Sequence, residues 1–551
     1  MSQEQEGTVF GIDLGTTYSC ISYIDDTGNA QIAENMEGGR TTPSVVYFAS
    51  EDEVVVGQAA KDAAVLEPDR TVQFVKQLMG NSKVALEVDG KEKTPEEISS
   101  YILKKVAQDA EQSTGYPVKN VVITVPAYFG DAERQATKTA GELAGLNVMS
   151  IVQEPVAAAV YYGCTKAGTD QTLLVYDLGG GTFDVTVMNV SSDGTEIQVV
   201  CSDGNHNLGG RLWDAQIVSY LADTFREETD YEDDYDEFAM QQFQDAAEKY
   251  KQQLTTRPEV RVSLNIAGLG LQTKLSRETF ESLTTALLDE TIQLTARTIE
   301  NARSKGYEVS KILLVGGSTY MPQVQNALAN NFPDLARELN EPNEAVSKGA
   351  ALVARNDAIR LITEQNENKT DGGGEDGASE DGSSAEATQA PVISLPGAVD
   401  IENIATTTIK LATTKSYGIE VIANGEDMIN NMIRKNQPMP SEGAYTHEQR
   451  FGTHAEGQSN VEVRIYENDE ESELTGIDGR EPIKEATFDL GGPMPAGSPI
   501  DVTFSLDTNG ILDIVAVEPT SGRQCPIHIE TGGLTAEQIE DIKSGLVMNI
   551  E

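Results

Sequence analysis

Residues 172–187 read Thr172-Leu173-Leu174-Val175-Tyr176-Asp177-Leu178-Gly179-Gly180-Gly181-Thr182-Phe183-Asp184-Val185-Thr186-Val187. The apolar run of Leu173, Leu174 and Val175 ends at Asp177, as a buried strand would. Three glycines follow. They permit the φ > 0 geometry of a tight turn and let backbone N–H groups come close to a ligand. Successive N–H groups in such a turn form a concave anion site. Beyond it, Phe183, Val185 and Val187 alternate with Thr182, Asp184 and Thr186. The reading is a β-hairpin whose bend holds phosphate, with a carboxylate at each base. Taken alone, an ordinary glycine-rich hairpin explains the stretch about as well.

The theme recurs. Residues 9–17 read Val-Phe-Gly-Ile-Asp-Leu-Gly-Thr-Thr, again an apolar strand, Asp13, a leucine, Gly15 and the hydroxyls of Thr16 and Thr17. Two distant copies of a strand–turn imply two similar halves facing one site. Asp13 and Asp177 then approach the phosphates from opposite sides. Mg²⁺ keeps several waters, so two carboxylates can hold it through its hydration shell. A third variant, residues 311–319, puts Gly316 and Gly317 after an apolar strand, where a glycine pair admits the flat face of a nucleoside. No G-x-x-x-x-G-K-[ST] run occurs, which excludes a P-loop.

Composition bounds the partners. The chain has 551 residues, with Lys+Arg 40 against Asp+Glu 89, a formal charge of −49. Such a balance repels nucleic-acid phosphates and anionic membranes, so neither is an expected partner. Cys20, Cys164, Cys201 and Cys525 are scattered, which argues against a disulfide framework or zinc site and for a reducing cytoplasmic setting. Residues 1–7 are polar and acidic, unlike a signal peptide, and no apolar run is long enough to span a membrane.

Residues 1–360 alternate strand-like and helix-like segments, an α/β pattern. Thr94-Pro95-Glu96-Glu97 is a helix start, followed by Ile98, Ile102, Val106 and Ala110 on one face. Residues 120–125 form an apolar strand ended by Pro126, and residues 133–144 have a helical pattern. The acidic stretch 223–237 reads as a solvated connection between helices. In the next helix Glu248 and Lys251 lie three apart on one face. Residues 361–398 form an acidic Gly/Ser-rich linker, expected to be disordered. Residues 399–551 read as a β domain with prolines 438, 440, 493 and 495 in loops, ending in a short helix capped by Thr535 and Gln538.

Together these segments resemble the DnaK-type, seventy-kilodalton heat-shock chaperone family. The resemblance rests on Gly11-Ile-Asp-Leu-Gly-Thr-Thr, residues 177–184, Gln153-Glu-Pro-Val-Ala-Ala-Ala, Thr124-Val-Pro-Ala-Tyr-Phe and Leu314-Val-Gly-Gly-Ser-Thr, and covers nearly the whole chain except the linker. It implies an actin-like, two-lobed ATPase domain that binds ATP/ADP with Mg²⁺ and K⁺. A β-sandwich that grips extended apolar peptides follows. Unfolded or nascent polypeptides are the implied partners, with a J-domain co-chaperone and a nucleotide exchange factor.

Carried over by position, Gly15, Thr16, Thr17 and Tyr18 resemble the first phosphate loop, and Gly179, Gly180, Gly181 and Thr182 the second. Asp13, Glu154 and Asp177 resemble the carboxylates around Mg²⁺ and the attacking water, and Asp184 the one that assists with K⁺. Lys76 matches the lysine at the γ-phosphate. Glu248, Lys251 and Thr255, with Gly316, Gly317 and Ser318, resemble the adenosine clamp, and Gly209 and Gly210 belong to the same cleft. Pro126 and Arg134 match the switch proline and its relaying arginine. Residues 416–422 resemble the first peptide-contacting loop, with Ile419, Val421 and Ile422, while Phe451, His454 and Val461 fall at groove positions. For Ile419, Phe451 and Val461 a place in the sandwich core is the alternative.

The chain also departs from that pattern. Tyr320 stands where an arginine stacks on adenine, Asn343 replaces an aspartate, and Arg211 replaces an acid after Leu208-Gly209-Gly210. Gly491 and Gly492 stand near a usual apolar groove position. Residues 407–412, Thr-Thr-Ile-Lys-Leu-Ala, replace the leucine-rich linker, and the expectation is a divergent member lacking the helical lid. The expectation is a slow ATPase and chaperone with weak coupling between its domains. The alternatives are a non-catalytic nucleotide-binding co-chaperone or scaffold, and a small-molecule kinase of the same fold superfamily.

Overall fold

The fold is that of a computed structural model, which describes residues 7–50, 53–80, 85–165, 170–339, 341–371, 393–395, 404, 406–423, 425–440, 443–507, 511–529, 536–546 and 550. The two glycine stretches each form the hairpin anticipated. Val9–Asp13 runs antiparallel to Tyr18–Ile24. Gln171–Leu178 runs antiparallel to Phe183–Val190, with Asp177 directly opposite Asp184.

Each hairpin is the centre of a sheet built in the same order. In the first, Asn147–Gln153 and Asn120–Val125 lie parallel to Val9–Asp13, and Ala30–Ile32 extends the hairpin on the other side. In the second, Ala336–Leu339 and Lys311–Val315 lie parallel to Gln171–Leu178, and Glu196–Asn205 extends the hairpin. The apolar runs Asn120–Val125 and Leu173–Leu178 are buried along their whole length, as strands covered on both faces must be.

Two helices pack between the sheets, Glu154–Thr165 and Ala345–Asp371. The first is nearly all apolar, with Val156, Ala157, Ala158, Ala159 and Val160 buried, so it fits where no solvent face exists. They cross at Gly349, where a Cβ would stand 1.8 Å from the Ala157 carbonyl oxygen. The second helix continues to Asp371, past the boundary at 360. Residues 372–392 and 396–398 of the acidic linker lie outside the described residues.

A separate sandwich follows. Glu426–Ile433, Ser416–Ala423, Gln458–Asn468 and Lys484–Met494 lie in one sheet, and Ala444–Gly452, Pro499–Asp507, Leu512–Glu518 and Arg523–His528 make the other. Ile433, Ile465, Phe488, Phe504 and Ile514 fill the space between them. Several local expectations change. Residues 416–422 are strand, not loop. Pro493 lies inside the strand Lys484–Met494, just after Gly491 at φ 84°, where the backbone leaves regular pairing. Half of the acidic stretch is the end of the helix Gly210–Thr229, held by buried Phe225, and Tyr231 stacks on Tyr235 in the connection. Thr408–Lys410 pairs with Glu196–Gln198 in the second sheet of the first domain, not with the sandwich. The Thr535 cap lies outside the described residues.

Gly349→Ala is expected to lower the urea midpoint, costing about 1–3 kcal/mol because the close-packed helix crossing cannot absorb a methyl group. Gly270→Ala, where nothing lies within 4 Å, is the control and should leave the midpoint unchanged.

Candidate functional site

Between the two hairpins lies a cavity of about 980 Å³. Its walls are backbone at the glycine bends. Thr17 lies against Gly180, where a Cβ would come within 2.4 Å of Thr17 Oγ1, and Thr16 lies against Gly181 in the same way at 2.6 Å from Cγ2. Behind them Gly209 abuts the Gly181 carbonyl carbon, where a Cβ would come within 2.4 Å. Gly210 N–H donates to the Gly179 carbonyl at 2.9 Å, and Ser318 Oγ donates to the same oxygen at 2.9 Å. Gly15 N–H donates to Ser19 Oγ at 3.2 Å. At Gly209 and Gly15, where the opposing atoms are backbone, a side chain would displace the bend; at Gly180 and Gly181 it would push on the Thr17 and Thr16 side chains.

At the floor, buried Lys76 pairs with Glu154. Lys76 sits on the short helical turn Val75–Leu78, aimed inward by Phe74 at φ 62°. Thr124 Oγ1 donates to Asp13 Oδ1 at 3.1 Å. Burial, reinforced by the charge of Glu154, pushes the carboxyls of Asp13 and Asp177 above the usual carboxylate range. Burial and Glu154 do the same to Asp184, whose Oδ1 has no hydrogen-bond partner. Asp13, Glu154 and Asp177 around one ammonium leave negative charge uncompensated, which fits a cation. Among the described residues no group of three or more His, Cys, Asp or Glu could cage a metal directly, so the fit is to an ion held through its water. Asp184 does not line this cavity. It lines a second one, of about 510 Å³, beside Tyr128, His206, Lys435 and Asp469.

The other end of the cavity is built from both halves. Glu248 and Lys251 share a face of Glu237–Thr256 but do not pair. Glu248 takes the Tyr18 hydroxyl at 3.0 Å and the ammonium of Lys61, while Lys251 pairs with Asp214 at 2.6 Å. Burial would raise the Glu248 carboxyl, but Lys61, with Lys251 and the Tyr18 hydroxyl, more than offsets it and holds that group below its ordinary value. Thr255 lines the cavity and donates to the Gln252 carbonyl at 2.6 Å. Gly316 at φ 82° lies over the Leu178 carbonyl, where a Cβ would come within 2.4 Å, and Gly317 faces Asn343 Oδ1. Tyr320 is 40% exposed at the rim. Lys61, Asp214 and Gln77 carry no linear signal, since their partners are brought to them only by folding.

The β domain rests on the first domain near the predicted relay. Phe129 N–H donates to the Pro126 carbonyl, and buried Arg134 donates Nε to the Phe129 carbonyl at 3.1 Å. Ser202 N–H donates to Asn436 Oδ1 at 2.9 Å, and Asn301 donates to Glu471 at 2.8 Å. Asp131 is pushed up to about 7 by burial, helped by Asp507, Glu467 and Glu133 and opposed by Arg134. The expected peptide residues divide. Ile419 is sandwich core; Val421, Phe451 and Val461 are half-buried against that core. Ile422, 51% exposed, stands on the opposite face of its strand from Ile419 and Val421, and His454 is exposed in a turn.

Because Asp131 is harder to ionise in the docked form than in water, docking carries a cost that grows as pH climbs from the carboxylate range to about 7. Fluorescence transfer between the domains should therefore rise from about pH 8 to pH 6. Asp131→Asn should flatten that profile at the high-transfer level.

A family model described as Hsp70 protein matches residues 9–356 and 386–547. The chaperone protein DnaK of Thermotoga neapolitana is 36% identical over 550 residues, spanning 98% of this chain and 83% of its own. That of Thermotoga maritima is 36% identical over 531 residues, spanning 95% and 80%, and that of Thermosipho africanus 37% identical over 531 residues, spanning 94% and 79%. With a family model matched along both domains and relatives at 36–37% identity over most of the chain, the chain belongs to the Hsp70 family.

Proposed function

We propose that this protein is an ATP-hydrolysing chaperone whose actin-like first domain binds ATP and ADP with Mg²⁺ between its glycine hairpins. Its β domain takes extended apolar segments of unfolded polypeptide. The observation that carries this reading is the convergence of Lys76, Glu154, Asp13 and Asp177 at the floor of a cavity walled by two glycine bends.

In hydrolysis a bond forms from a water oxygen to the γ-phosphorus, and the bond to the bridging oxygen of ADP breaks. Such chemistry needs positioning and charge neutralisation more than covalent help. The Lys76 ammonium, held by Glu154, keeps donors for the charge that grows on the γ-phosphoryl oxygens. Glu154 orients the water through its carboxylate, and the Thr182 hydroxyl lines the same cavity. Bound Mg²⁺ supplies charge neutralisation at the phosphate oxygens. Asp13 and Asp177 would accept from its waters, and the unpartnered oxygen of Asp184 would suit K⁺.

On the β domain, half-buried Val421, Phe451 and Val461 offer apolar surface beside strand backbone, which suits a bound strand without sequence choice. The polar segment Thr408–Lys410, an edge strand of the first domain with Lys410 paired to Glu196, is the connection through which ATP would influence peptide. Its altered composition supports weak coupling between the sites. A J-domain co-chaperone and an exchange factor are the partners this reading implies.

Lys76→Ala should lower single-turnover hydrolysis about 10²–10³-fold, the worth of a lost charge-stabilising donor. Hydrolysis within a few-fold of the parent would overturn the catalytic assignment, and a parent that binds ATP without hydrolysing it would favour a nucleotide-stabilised scaffold. Fluorescent-peptide dissociation should differ little between ATP and ADP; slow release in ADP, accelerated by ATP, would contradict weak coupling.

A further inference from the structure

The cavity mouth carries a cation that neither the glycine bends nor the ion pair at the floor employs. Arg211 lies in the first turn of Gly210–Thr229, and its N–H donates to the Gly180 carbonyl at 2.8 Å. Its side chain lines the cavity and crosses to the other half of the domain. There Nη1 donates to Gln77 Oε1 at 2.6 Å, and the guanidinium carbon stands 4.8 Å from the centre of the Phe74 ring. Gln77 in turn donates to the Gly181 carbonyl at 3.2 Å. The guanidinium is thus one side chain removed from the second glycine bend.

Its partners set it apart. Lys61, Lys76 and Lys251 each face a carboxylate in this cavity. Arg211 is held instead by a neutral amide and an aromatic face, and among the described residues no carboxylate pairs with it. In a chain with 89 acidic and 40 basic residues, an exposed arginine without an acid is a conspicuous choice. The hold fixes the planar fork while leaving most of its five donors for an incoming anion. Phosphate oxygens are the acceptors such a fork matches best.

We propose that Arg211 is a further polyphosphate-binding residue, which lays its guanidinium over the phosphates of bound ATP or ADP at the mouth of the cleft. The proposal rests on the nucleotide reading above. It forms and breaks no covalent bond; it adds affinity and slows release. Because Gln77 and Phe74 belong to the opposite half, the same contact holds the cleft closed over the nucleotide.

The test is equilibrium binding of ADP, ATP and adenosine to the full chain, Arg211→Gln and Arg211→Lys. Arg211→Gln should weaken ADP and ATP about tenfold, the scale of one charge-assisted hydrogen bond near solvent, and leave adenosine within about twofold. Arg211→Lys should regain part of the loss, and added salt should weaken ADP more for the parent than for Arg211→Gln. ADP binding by Arg211→Gln within about twofold of the parent would overturn the proposal, since one charged contact exceeds that. So would a parallel loss for adenosine, which would make the residue a clasp that never reads phosphate. A parent chain that binds no ADP would overturn the nucleotide reading along with the proposal, a failure distinct from the other two.

Discussion

At the junction of the two halves of the first domain, Asp13, Glu154 and Asp177 surround the ammonium of Lys76, and Asp184 lies behind them within the field of both Lys76 and Lys435, all of them buried or nearly so. An ionised carboxylate away from water is costly unless paired. One lysine satisfies Glu154 and leaves the three aspartates pressed towards their protonated forms. The floor therefore gains stability from whatever positive charge enters it. A ligand that brings a cation to this floor would stabilise the folded domain by mass action. The charge is gathered across the junction: the first hairpin contributes Asp13, the second Asp177 and Asp184, and the helix between the sheets Glu154.

Glycine sets how close the halves can come. Gly349 crosses the Ala157 backbone, Gly11 lies on Ala351, and Gly316 lies over the Leu178 carbonyl, each nearer than a Cβ allows. The first two bring the inner helices against each other and against the first sheet. The third brings the strand Lys311–Val315 round to the cavity rim. Packing and site geometry thus depend on one constraint, the absence of side chains where backbone meets backbone. The acidic surface balance, −49 overall, adds a long-range field that favours cation-bearing ligands over bare anions.

Much of this was legible from periodicity and spacing. The two hairpins follow from apolar runs that stop at an aspartate and a glycine. The helix Pro95–Thr114 follows from Thr94, which accepts from Glu97 N–H at 3.2 Å as a cap should. Other features were misread for identifiable reasons. Acids in 223–229 resemble linker, yet Phe225 anchors them as helix. Pro493 signals a loop, yet a preceding pair of positive-φ glycines lets it sit in a strand. Residues 416–422 carry an apolar pattern that suits a peptide loop or a core strand equally; pairing with Glu426–Ile433 on one side and Gln458–Asn468 on the other makes them strand.

Local elements, the repeated strand–bend motif and the division into an α/β part and a β part are written in the order of the residues, because these depend on neighbours a few positions apart. Folding in three dimensions sets the ion pairs. Glu248 has Lys251 one turn away, yet it takes Lys61 and Tyr18, and Lys251 takes Asp214. It also decided that Thr408–Lys410 joins the sheet edge at Glu196, and that Arg211 reaches Gln77 and Phe74. Charges and strand edges pair with whatever the fold brings within a few ångströms, and distance along the chain carries no record of that.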